Sequence, residues 1–205
     1  MQADQTAIIL IGYQNDYFAE DGILHEVIEE TSRVNNVLAN TLDMLEHMAP
    51  TEATLISTPI IFTPDYEELV EPIGILATIK EVQAFMLGRR GSETIPEFGP
   101  YASRITEVPG KRGLNAFVGT ELDALLQERN IKNIVIAGAV TSICVDSTGR
   151  SAFERGYRVT ILSDCTTGRT PMEQEFYCEK VFPLYAEVLT HHDLLARVEP
   201  AGIGL

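Results

Sequence analysis

Ile134-Val135-Ile136-Ala137-Gly138-Ala139-Val140-Thr141-Ser142-Ile143-Cys144-Val145 is the stretch that decides the fold. Ile134 to Ala137 is a short apolar run, the pattern of a strand buried on both faces. Small residues end it, and a helix is expected from Cys144 to Arg155, closed by Gly156. A strand, a tight corner and a helix make one unit of a parallel α/β sheet. Cys144 stands where the helix begins, and the unpaired amides and positive dipole end there favour thiolate over thiol. A cysteine in such a place also reads as a small core hydrophobe. The local pattern alone does not separate the two.

The same unit recurs on either side. Ala7-Ile8-Ile9-Leu10-Ile11 predicts a buried first strand, followed by an Asn-, Asp- and Gly-rich loop from Gly12 to Leu24. Residues 31 to 48 place Val34, Val37, Leu38, Leu42, Leu45 and Met48 on one helical face, with Thr31 or Ser32 as its cap. Pro59 to Thr63 predicts a second strand, Ser103 to Val108 a third, Asn133 to Ala137 the fourth, Tyr157 to Ser163 a fifth and Val188-Leu189 a sixth. Thr120 starts a helix bearing Leu122, Leu125 and Leu126. Thr170-Pro171-Met172-Glu173 has the form of a capping box, and Thr190 caps a last helix near His191 to Val198. Residues 64 to 100 have weak periodicity and predict a long irregular excursion with a short helix or two, a kind of connection that is usually functional. The sum is an α/β chain: a single domain over residues 1–205, with six mainly parallel strands and helices on both faces. Ligands of such sheets bind at the carboxyl ends of the strands, which collects the loops after Ile11, Thr63, Val108, Ala137 and Ser163 at one edge.

Composition narrows the function classes. A formal charge of -15 argues against nucleic acid or an anionic membrane as partner. No apolar run approaches the roughly 20 residues of a spanning helix. The N-terminus lacks a basic stretch and a long apolar stretch, so no signal peptide is expected. Three cysteines, Cys144, Cys165 and Cys178, form no paired spacing, which fits free thiols in a reducing, cytoplasmic setting.

Five blocks, in order, resemble the isochorismatase-like cysteine hydrolases. Gln14-Asn15-Asp16-Tyr17-Phe18 resembles their Q-N-D-F segment; Gly91, Glu93, Ile95 and Pro96 resemble G-x-E-I-x-P. Lys111 with Asn115-Ala116-Phe117 resembles their lysine block, and Gly119-Thr120-Glu121-Leu122 their G-T-x-L helix start. Gly138 to Thr148 resembles the nucleophile block G-x-x-T-x-x-C-V-x-S-T. The resemblance implies a Rossmann-like six-stranded fold, no cofactor, a small-molecule substrate, a homodimer or homotetramer, and a Cys-Lys-Asp triad acting on C–N bonds. Cys144 would attack the carbonyl to form a thioester, and Lys111 would favour the thiolate and stabilise charge. A cis peptide between Val140 and Thr141 would turn the amides of Thr141 and Cys144 toward an oxyanion.

One departure matters as much as the match. The family's catalytic Asp, two residues before the Gln of Q-N-D, is Gly12 here. Losing such a base costs on the order of a thousandfold in rate. Asp16, Asp65, Glu71 or Glu93 would have to substitute, or Lys111 and the helix end would have to form the thiolate unaided, or the chain has kept binding and lost hydrolysis. Glycine at that position is also expected to open volume beside the thiol. Gln14, Phe18, Arg90 and Phe117 are expected in a substrate pocket; Tyr17, Phe18, Phe62 and Phe117 read by default as core and otherwise as apolar lining, and Arg89-Arg90 reads as a solvated loop pair, slightly favoured, or as a carboxylate clamp. Cys165 is expected to approach the site, and Cys178 to pack on its helix. No metal is expected: Thr63-Pro64-Asp65-Tyr66 stands where nicotinamidases carry Asp-x-His, and His191-His192 reads as a helix start. The leading expectation is cysteine-dependent hydrolysis of a small amide or ureide. The alternatives are an impaired, ligand- or partner-binding relative and, less favoured, a true isochorismatase acting on a vinyl ether.

Overall fold

The structure, a computed structural model, describes residues 1–198; residues 199–205 of the expected domain lie outside the described residues. In chain order it comprises β1 (Thr6–Ile11), α1 (Asn15–Phe18), α2 (His25–Val34), α3 (Val37–Met48), β2 (Thr54–Thr58), α4 (Gly74–Val82), β3 (Ile105–Glu107), α5 (Leu122–Glu128), β4 (Asn133–Ala139), α6 (Asp146–Glu154), β5 (Arg158–Thr167), α7 (Pro171–Phe176), β6 (Glu187–Leu189) and α8 (His191–Arg197). The six strands form one sheet in the order β3-β2-β1-β4-β5-β6. Every strand pair is parallel.

Alternation along β1 explains the layers. Ala7, Ile9 and Ile11 face one core with Leu122, Leu126, Ala152 and Cys144, under α5 and α6. Ile8 and Leu10 face the other, with Met44, Leu45, Met48 and Leu194, under α3 and α8. A third apolar cluster, including Tyr17, Phe62, Phe85 and Val140, closes the carboxyl edge. Strand order reverses between β1 and β4, so the loops leaving those two strands part and open a crevice, where ligands of this architecture bind.

Three expectations need correction. The second strand is Thr54–Thr58, which pairs with both β1 and β3; Ile60 and Phe62 beyond Pro59 form only isolated bridges. The helix expected over 31–48 is two helices, broken at Asn36, which takes a left-handed φ of 51°; Thr31 and Ser32 therefore lie inside α2 and cap nothing. Thr170 does cap α7, accepting from the Glu173 N–H at 3.1 Å, but the Glu173 carboxylate turns to Ser142 and Arg169 rather than completing the box. The reciprocal box forms at Thr190 and Asp193 instead, opening α8. Among the described residues no helix is long and apolar enough to cross a membrane.

Candidate active site

Gly138 fixes how β4 ends. Its φ is +125°, and a Cβ there would meet the Ile11 carbonyl oxygen at 1.9 Å, so only glycine lets β4 lie this close to the end of β1. The chain then turns through a cis peptide between Ala139 and Val140, one residue before the expected position. The Val140–Thr141 peptide already belongs to the helical turn, because the Val140 carbonyl accepts from the Ile143 and Val145 N–H groups at 3.0 and 3.2 Å. A five-residue π turn, Thr141–Val145, carries Cys144 and runs straight into α6. The turn is braced from α7, where Thr141 Oγ1 donates to Gln174 Oε1 and Ser142 Oγ donates to Glu173 Oε1, each at 2.5 Å.

Lys111 reaches the thiol from the far side of β1. Its backbone extends the β3 region and bridges Ile60 in parallel. Its side chain is 1 % exposed. Nζ lies 3.5 Å from Cys144 Sγ. Thr148 of α6 accepts from the Ala116 N–H at 3.1 Å and ties the lysine block to the cysteine helix. An ammonium this deeply buried needs a counter-charge. Among the described residues no carboxylate lies within ion-pair distance of Lys111, and the sulfur is its polar partner.

The cavity over the pair is only about 10 Å³, at the lower limit for one water. Tyr17, Gly12, Ala139 and Ile143 form its floor, and Ile75, Leu76 and Ile79 of α4 its roof, with Ile60 and Leu114 at the sides. Burial, then the nearby Cys144 and Asp16 charges, raise the Tyr17 hydroxyl well above the ordinary phenol range, so it stays a neutral donor. A far larger groove, about 1060 Å³, runs between α2 and α3, but it touches neither Cys144 nor Lys111. Chemistry, not size, marks the site.

Gly12 does not open volume. Its φ is +70°, and a Cβ would sit 2.9 Å from the Ala139 carbonyl oxygen and 3.5 Å from the Tyr17 ring. The space is already filled.

None of the proposed replacement carboxylates lines the cavity. Asp16 is buried, but its Oδ2 accepts from the Phe85 N–H at 2.6 Å, and a Cβ on Gly91 would fall 2.1 Å from its Oδ1. It is a peg in the excursion. Glu93 offers its backbone carbonyl to Asn15, and Asp65 and Glu71 stay outside. Arg90 is no clamp over the thiol: it pairs with Asp21 at 2.7 Å at the exposed rim. Gln14 is buried in a structural role, bonding Ile60 and Ser92. Phe18 stacks on Tyr13 in the opposite layer, Phe117 lies under Arg155, and Phe62 is core. Cys165 sits in the other layer as well, its carbonyl accepting from Tyr13; Cys178 packs against the first core. The α4 roof, Leu114 and the Gln174 brace have no motif in the sequence; the Ile75, Leu76 and Ile79 spacing is helical, but nothing in it shows what that face would cover.

Comparison with known proteins agrees with this architecture. A family model described as Isochorismatase domain matches residues 6–193. The chain is similar to the uncharacterized isochorismatase family protein YwoC of Bacillus subtilis, 34 % identical over 108 residues that make up 53 % of this chain and 56 % of that protein. It is 28 % identical to ureidoacrylate amidohydrolase RutB of Pseudomonas syringae over 220 residues, 98 % of this chain and 87 % of that protein. Among solved structures it resembles a cysteine hydrolase from Pseudomonas syringae pv. phaseolicola with a TM-score of 0.82 at 20 % identity, covering 96 % of this chain and 93 % of that one. The sheet order, the crevice and the matched span agree: the chain belongs to the isochorismatase family.

Proposed function

We propose that this protein is a cysteine-dependent hydrolase of a small, neutral amide or ureide, working without a carboxylate base. The observation that carries the reading is the buried contact of Lys111 Nζ with Cys144 Sγ at 3.5 Å, at the crevice where ligands of this fold bind. Ammonium and thiolate balance each other's charge there, so a nucleophile forms without a third group. The thiolate attacks the carbonyl carbon, a C–S bond forms and the carbonyl electrons move to oxygen. The first-turn amides of Thr141 and Cys144 are the donors for that oxygen. The intermediate collapses, the C–N bond breaks, and Lys111 gives its proton to the departing amine. Water then attacks the thioester, returns a proton to Lys111 and frees the acid product and the thiolate. Similarity to an amidohydrolase acting on ureidoacrylate supports C–N cleavage.

The walls restrict the substrate. Ile60, Ile75, Leu76, Ile79, Leu114 and Ile143 are all aliphatic, and Lys111 is the only cation facing the cavity among the described residues. An acrylate carboxylate would find no second cation, so the acyl part is uncharged and apolar. Its entry requires α4 to swing aside.

Incubating the protein with a panel of neutral amides and ureides, with mass detection of an acyl adduct on Cys144, tests this. Turnover and an adduct in the wild type, both lost in Cys144→Ala and Lys111→Met, are expected. Turnover that survives Cys144→Ala defeats the mechanism. The absence of a base and the closed cavity favour a second reading, a binding protein; ligands that raise the melting temperature with no turnover and no adduct would establish it instead.

A further inference from the structure

We propose a divalent transition-metal site on the face of the sheet opposite Cys144, held by Asp43 of α3 and His191 and His192 at the start of α8, for a zinc-type cation. Among the described residues, one ligand atom from each of these three side chains lies within 4.8 Å of the others. Two helices far apart in sequence therefore converge on one point.

The details are those of a ligand set rather than of a hydrogen-bonded cluster. His191 is buried, and Asp164 within β5 holds both its backbone N–H, at 2.9 Å, and its Nδ1, at 2.6 Å. A carboxylate on one ring nitrogen fixes the tautomer and aims the other nitrogen outward, the arrangement usual for metal-bound histidine. That other nitrogen, Nε2, lies 3.3 Å from Asp43 Oδ2. Asp43 Oδ2 is buried and has no hydrogen-bond partner. Two ligands of a tetrahedral zinc ion, each about 2.0–2.1 Å from the metal, stand roughly 3.3 Å apart. The His192 ring lies beside that of His191, with centroids 3.9 Å apart, and it is exposed. His47, one turn beyond Asp43 on α3, places Nδ1 3.8 Å from Asp43 Oδ1 and supplies a fourth donor by a change of rotamer.

Charge points the same way. Neither Asp43 nor Asp164 has a Lys or Arg within ion-pair distance among the described residues; their ion-pair partners are histidines, and the Cys165 thiol lies beside Asp164 as well. Imidazole and carboxylate together suit Zn²⁺, Ni²⁺ or Co²⁺ rather than Ca²⁺ or Mg²⁺. The sequence reading of His191-His192 as a helix start is correct as far as it goes. Cys144 lies in the opposite layer, so an ion here would join α3 to α8 and not touch the thiol.

The test is calorimetric titration of ZnCl₂ into untagged, metal-stripped protein in a Cys144→Ser background, which removes the thiol as a competing ligand. One equivalent of Zn²⁺ per chain is expected. Asp43→Asn and His192→Ala, both at sites reached by solvent, should weaken binding at least about tenfold while keeping the wild-type melting curve without metal, and Asp164→Asn should weaken it by about 10–100-fold through His191. Excess Zn²⁺ should raise the melting temperature of the Cys144→Ser protein but not that of its His192→Ala variant. Failure to bind, or binding that persists in both Asp43→Asn and His192→Ala, overturns the site and leaves His191 as a side chain paired only with its two carboxylates.

Discussion

Restoring the missing acid should harm this protein rather than rescue it. Gly12→Asp forces a side chain onto a backbone held at φ +70°, which costs a non-glycine residue roughly 1–2 kcal/mol, with Asp at the lower end. Its Cβ would also press to 2.9 Å from the Ala139 carbonyl oxygen, an overpacking that adds about 1–2 kcal/mol. The total, about 2–4 kcal/mol, corresponds to a fall in melting temperature of roughly 5–15 °C for a chain of this size. Gly12→Ala should lose nearly as much, since the strain sits in the backbone and Cβ. The assay is thermal melting by circular dichroism beside hydrolysis of the best substrate from the amide panel. A correctly placed base contributes about 100-fold or more in rate, and Gly12→Asp should show no such gain. A variant that melts like the wild type, or that gains activity on that scale, refutes the claim that the Tyr17 ring and the Ala139 carbonyl have closed the space.

Other outcomes follow from the same geometry. Iodoacetamide near neutral pH should label Cys144 ahead of the other thiols, because burial, with Asp164 adding to it, pushes Cys165 far up, and burial pushes Cys178 up to about 12; peptide mass spectrometry reads the order, and Lys111→Ala should slow labelling of Cys144. Burial raises the Glu68 carboxyl, but its hydrogen bonds from Thr63 and the Arg112 charge outweigh this and leave it below the usual carboxylate range. Its folded value is thus the lower one, and its stabilisation is full above the unfolded value and fades as pH falls through the folded one. Glu68→Gln should therefore cost up to about 1 kcal/mol at pH 7, and the gap should close below about pH 4, read by urea melts across pH. Asp16→Ala orphans the buried Phe85 N–H and should cost about 1–3 kcal/mol while leaving the pH profile of turnover unchanged; loss of the acid-side limb of that profile would make Asp16 a base after all.

Much of this fold is legible in the chain because its strands are buried on both faces. Ile8, Ile9, Leu10 and Ile134, Val135, Ile136 read as strands without any knowledge of partners. The second strand was misplaced because Thr54-Leu55-Ile56-Ser57-Thr58 is half polar, and its polar side chains are buried by neighbours the sequence does not display. Cys144 and Lys111 are both legible as residues worth notice, but their contact depends on β1 lying between their strands. Asp16 reads only as a minor candidate base, because a carboxylate in a loop is ambiguous; the Phe85 N–H and the close approach of Gly91 decide its use as structural. The roof over the thiol was unreadable because α4 has no motif, only aliphatic residues whose target lies elsewhere in the chain.

The Gln14 amide ties three separate pieces of chain together. Its Nε2 donates to the carbonyls of Ile60 and Ser92 at 2.9 and 2.7 Å, and its Oε1 accepts from the Ile60 N–H at 3.0 Å. Opening any one of those segments leaves a buried amide unsatisfied, so they exchange with solvent as one cooperative unit. α4 makes no hydrogen bond to that amide. In hydrogen exchange, the Ile60 and Asn15 amides should share one slow rate while the amides of α4 exchange faster. With that order of exchange, a molecule would reach the thiol past α4 while the floor that aligns sulfur and ammonium stays still.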